Sequence, residues 1–99
     1  MNNAMQTHNA TTLSNGRRVD TDFIKLIYVV VLERIPTLPH GVAIPLKKIS
    51  GKTFWEQLEG YEVEMAGLCM SHLVATNQVD MEEAGKDVHN AKLYRRIRR

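Results

Sequence analysis

Apolar residues fall into blocks along this chain, separated by polar and turn-forming stretches. The first block, Phe23-Ile24-Lys25-Leu26-Ile27-Tyr28-Val29-Val30-Val31-Leu32-Glu33-Arg34, follows Asp20, Thr21 and Asp22. Those three residues offer N-cap candidates and acidic first-turn side chains, so the block predicts a helix. Residues 26–32 are also β-branched and apolar all round, as a central strand would be, and periodicity alone does not separate the two readings. The capping signals favour the helix. Pro36, Pro39, Gly41 and Pro45 then break the chain. Between them Val42-Ala43-Ile44 leaves room for one short strand, and Leu46-Lys47-Lys48-Ile49 for a turn of helix.

Thr53-Phe54-Trp55-Glu56 has the spacing of a capping box, which predicts a short helix starting at Phe54. Gly60 ends it, supplying a positive φ or the tight turn of a helix-turn-helix. A longer helix follows from Tyr61 or Glu62 to Thr76, with Asn77 as a left-handed cap. Val63, Ala66, Met70, Leu73 and Val74 share one of its faces and should pack inward. Beyond it Val79 and Met81 alternate with Asp80 and Glu82. Gly85-Lys86-Asp87-Val88-His89-Asn90 provides turn residues, and Leu93-Tyr94-Arg95-Arg96-Ile97 reads as a return strand, so the pattern predicts a β-hairpin. Residues 1–19, rich in Asn, Thr, Ser and Gln, have too few large apolar side chains to offset the entropy of ordering and are expected to form a disordered arm. Residues 20–99 form the single domain.

A chain of 99 residues with 43% apolar composition holds one small core. The run at residues 26–32 is far too short to cross a bilayer, and the polar N-terminus lacks the apolar core of a secretory signal. No membrane association and a cytoplasmic location are expected. The single cysteine, Cys69, cannot form an internal disulfide, in keeping with a reducing compartment. A net charge of +2 generates no strong global field. The distribution is uneven: residues 92–99 are strongly basic, whereas Asp80, Glu82, Glu83 and Asp87 just before them are acidic.

The order helix, turn, helix, strand, glycine-and-asparagine loop, strand over residues 53–99 resembles the winged helix-turn-helix superfamily. The residues behind the resemblance are the Leu73-Val74 pair late in the second helix, Asn77 as its stop, and Tyr94-Arg95 in the last strand. It implies an α+β fold: a small winged-helix domain of three helices with a C-terminal β-hairpin and a flexible N-terminal arm. It also implies double-stranded DNA as the partner, a helix laid in the major groove, a role as a transcriptional regulator, and action as a homodimer. On that reading Lys52 and Thr53 hold a phosphate at a helix N-terminus. Lys86, His89, Asn90 and Lys92 contact the backbone from the wing, and Arg95, Arg96, Arg98 and Arg99 track it, with Arg17 and Arg18 helping from the arm. The outward side of the long helix offers Glu64, Leu68, Ser71, His72 and Ala75, a poor set for reading bases.

That weakness motivates a second reading, a non-catalytic protein interaction module in which Met65, Leu68 and His72 form an outer apolar patch. Other chemistry finds little support. Gly51-Lys52-Thr53 ends like a phosphate-binding loop, yet the full pattern needs glycine where Leu46 stands. Cys69 and His72 have a usable ligand spacing but no second paired motif, so no metal is expected. With one thiol, no evident base and no nucleophile-elbow context, neither an enzyme nor a cofactor is expected.

Overall fold

The computed structural model describes residues 9–97. Helix α1 spans Thr21–Arg34 and begins where Asp20 caps it, its carboxylate accepting the Asp22 amide at 2.8 Å. The helical reading of this segment therefore holds against the strand alternative. Ile24, Ile27 and Val31 form its buried side. At its far end Arg34 donates from Nε to the Ile49 carbonyl at 3.0 Å, and a 3-10 turn, Ile35–Thr37, brings Leu38 into the core.

The expected arm is corrected over residues 10–19; residues 1–8 lie outside the described residues. Strands β1 (Ala10–Thr12) and β2 (Arg18–Asp20) pair antiparallel, with Thr11 opposite Val19. The loop closes through the Leu13 amide to the Arg17 carbonyl at 2.7 Å and the Gly16 amide to the Leu13 carbonyl at 2.9 Å, with Gly16 at φ 87. Leu13 and Val19 are both buried, so two apolar side chains and the pairing of the hairpin offset its ordering.

After the prolines come β3 (Ile44–Pro45), α2 (Leu46–Ser50) and α3 (Lys52–Glu56). Gly51, at φ 93, separates the two short helices and serves as the N-cap of α3. The expected capping box at Thr53 is therefore a correction: the helix starts at Lys52, two residues too early for Thr53 to cap it, no side-chain cap bond forms, and Glu56 lies 3.9 Å from Lys52 instead. Gly60 is also not the positive-φ stop that was expected; it is the first residue of α4 (Gly60–Ala75). The chain enters α4 through Glu59, whose amide donates to the Glu62 carboxylate at 2.8 Å.

Ala66, Cys69, Met70 and Leu73 are the buried side of α4, while Val63 and Val74, expected beside them, are only half-buried. Asn77 ends the helix at φ 59, as its residue type predicts. The C-terminal hairpin forms as expected from β4 (Met81–Lys86) and β5 (Lys92–Arg96). Its register gains one residue on β4 between Glu83 and Lys86, where Gly85 takes φ 92. Strand β3 adds on the other side of β5, pairing Ile44 with Tyr94, so the sheet order is β3-β5-β4. Val79, Met81 and Tyr94 from this end of the chain meet α1, α2 and α4 in one core that also contains Leu13 and Val19. Among the described residues the architecture is α+β, with two small antiparallel sheets and four helices, a correction to the three expected, because Leu46–Ser50 forms a helix of its own. No helix among the described residues is long and apolar enough to cross a membrane.

Candidate nucleic-acid interface

The side of α4 turned away from the core does not face open solvent evenly. It forms one wall of a groove of about 630 Å³, completed by α2, by Trp55 of α3, and by the β4–β5 hairpin. Val63, Glu64, Gly67, Leu68 and Ser71 line it from the helix, Lys47 and Lys48 from α2, and Asp87, His89, Ala91 and Lys92 from the hairpin. Gly67 deepens the middle of the wall. A Cβ there would meet nothing within 4 Å, so internal packing does not demand a glycine. In a helix interior glycine costs up to about 1 kcal/mol relative to alanine.

The hairpin loop is held in shape by Asp87, whose carboxylate accepts the His89 amide at 2.8 Å and the Ala91 amide at 3.0 Å. The Ala91 amide first, with the His89 amide and the nearby His89 ring, keeps that carboxyl below its ordinary range. Asn90 takes φ 67, completing the turn, and Val88 at the tip is almost wholly exposed. On the groove floor Ser71 Oγ lies 3.2 Å from the Tyr94 hydroxyl and accepts from Lys92 Nζ at 3.0 Å. Burial raises the Tyr94 phenol above its ordinary pKa. Deeper in the core, burial pushes the Cys69 thiol up to about 11.

Of the residues expected to meet DNA, this groove gathers Glu64, Leu68, Ser71, His89 and Lys92. Lys86 and Asn90 belong to the hairpin end beside it. Lys52 and Thr53 do not join them; with Arg34, Ser50, Gly51, Phe54 and Gln57 they line a separate cleft. His72 is turned toward the N-terminal hairpin, where its Nδ1 accepts the Ser14 amide at 2.9 Å. Met65 lies in a third cleft with Val19 and Phe23. Met65, Leu68 and His72 thus each line a different cleft instead of one continuous patch.

Two arginines are engaged within the fold as well. Arg95 bonds Glu82 through Nε and Nη2, both at 2.8 Å, and Arg96 donates to the Leu38 carbonyl at 2.9 Å. Arg98 and Arg99 lie outside the described residues. Lys47 and Lys48, both exposed, are the groove cations that the sequence pattern did not single out. A five-residue helix carries too little periodicity to show which way they point.

Comparison with protein-family models, curated proteins and solved structures finds no match.

Proposed function

We propose that this chain is a winged helix-turn-helix domain that binds double-stranded DNA and regulates transcription in the cytoplasm. The element order from α1 through β5, with the short strand β3 placed beside β5, supports the winged-helix reading. The observation that carries the binding reading is the convergence of Lys47, Lys48, His89 and Lys92 on the groove beside α4. Asp87 and Glu64 line the groove too, so its three lysines face two carboxylates, and Lys92 also lies 3.4 Å from Glu83. A phosphate backbone running between α2 and the hairpin would meet cations on both sides, while α4 offers Ser71 and Glu64 toward the bases.

Fluorescence anisotropy with random duplex DNA tests this. Neutralising about three phosphates predicts an affinity loss of about 20-fold for a threefold rise in salt. Reversing Lys47 and Lys48 together to Glu should weaken binding at least about tenfold and flatten that slope. Absence of binding at low salt, or binding indifferent to the double reversal, would remove DNA from this face. The apolar floor of Trp55, Val63 and Leu68 favours a second reading, an apolar segment of a protein partner lying in the same groove. Leu68→Glu separates the two, since it should abolish protein capture and only weaken a salt-dependent DNA interaction.

A further inference from the structure

Leu26, Val29 and Leu32 on α1 remain 45%, 49% and 41% exposed, half of the large apolar side chains left this open among the described residues. One step round the helix, Ile24, Ile27 and Val31 are buried, so the open strip is the far side of α1 from the core. Helical geometry centres the strip on Val29. Leu26 and Leu32 lie three residues to either side of it, Lys25 and Glu33 four residues to either side. Size is therefore symmetric about Val29 and charge is antisymmetric. Lys25 and Glu33 are both exposed, and neither belongs to a salt bridge among the described residues.

We propose that a second copy of this chain covers the strip, with the two α1 helices antiparallel across a two-fold axis at Val29. In that pairing Val29 meets Val29, Leu26 lies level with Leu32, and Lys25 lies level with Glu33, each relation occurring twice by symmetry. Long side chains reach across a helix pair spaced about 8–10 Å apart. A parallel pairing would instead set Lys25 beside Lys25 and Glu33 beside Glu33, so the charges select the antiparallel arrangement. Three apolar side chains and two charge pairs make a small contact beside the roughly 800 Å² per partner of a standard interface, so a weak, reversible dimer is expected. The inference does not depend on DNA binding, and its test uses the protein alone.

Sedimentation equilibrium from about 1 to 300 µM should show a reversible monomer–dimer equilibrium. Val29→Glu should abolish the dimer while circular dichroism, and thermal melting at concentrations too low for the dimer, stay unchanged, because the side chain is half open to solvent in the monomer. Lys25→Glu and Glu33→Lys should each weaken self-association about tenfold. Mixed together, these two variants should form a heterodimer stronger than either homodimer, since every level then pairs opposite charges. A protein that stays monomeric throughout, a dimer indifferent to Val29→Glu, or a mixture no stronger than its parts would each overturn the proposal.

Discussion

The Ser14 amide donates to Nδ1 of His72 at 2.9 Å, joining the N-terminal hairpin to α4 across 58 positions of sequence. The bond requires a lone pair on Nδ1 and fixes the ring against the loop. Removing it with His72→Ala should lower stability by about 1 kcal/mol and speed hydrogen exchange at the Ser14 amide. Leu13→Ala should cost more, about 2–4 kcal/mol, because Leu13 is buried in the common core. Urea denaturation measures both. A loose arm would give no change in either variant.

Alkaline pH should destabilise the protein. The Cys69 thiol is held up to about 11 from an ordinary 9.0, and burial raises the Tyr94 phenol as well. A raised acid keeps its proton in the folded state while the unfolded chain releases it. The contribution is therefore complete below the unfolded pKa and is lost as pH rises through the folded one. For Cys69 the window runs from about 9 to 11, with a loss of at most about 2–3 kcal/mol. Denaturant midpoints across that window should fall, and Cys69→Ala should shallow the decline. Thiol reagents at pH 8 should label Cys69 only as fast as the protein unfolds.

Gly67→Ala should raise stability by about 0.5–1 kcal/mol, because the added methyl enters open space and improves helix propensity. The same methyl fills the middle of the groove and should weaken whatever binds there. Thermal melting and anisotropy on one sample compare the two effects. Higher stability with undiminished binding would show that the groove does not need its depth.

Arg95 and Arg96 should separate in mutation. Arg96→Ala leaves the Leu38 carbonyl without its donor and should cost about 1–1.5 kcal/mol. Arg95→Ala breaks a pair with Glu82 in which both side chains are nearly half exposed, and should cost less than about 1 kcal/mol. Equal losses would contradict this ranking.

Much of the fold was legible because local signals agreed with tertiary demands. Asp20 capped α1, Asn77 stopped α4, and Gly85 with Asn90 shaped the last hairpin. The first hairpin was missed because Leu13 and Val19, spaced six positions apart, show no periodicity in a polar stretch. Asn15-Gly16 was nevertheless a hairpin signal there. The site was less legible. That Arg95 meets Glu82 depends on strand register, and that Arg96 reaches Leu38 depends on packing, neither of which local spacing reveals. Lys52 and Thr53 were placed by a capping motif that Gly51 pre-empted.

Strand order β3-β5-β4 leaves two edges, and both are blunt. One is only Ile44 and Pro45, the latter without an amide to donate; the other is kinked by the extra residue near Gly85 and carries Glu82, Glu83 and Lys86. Neither edge is a good template for another chain's backbone. A peptide designed to capture this protein by adding a strand to this sheet would find little purchase, and fibril growth should not start from it.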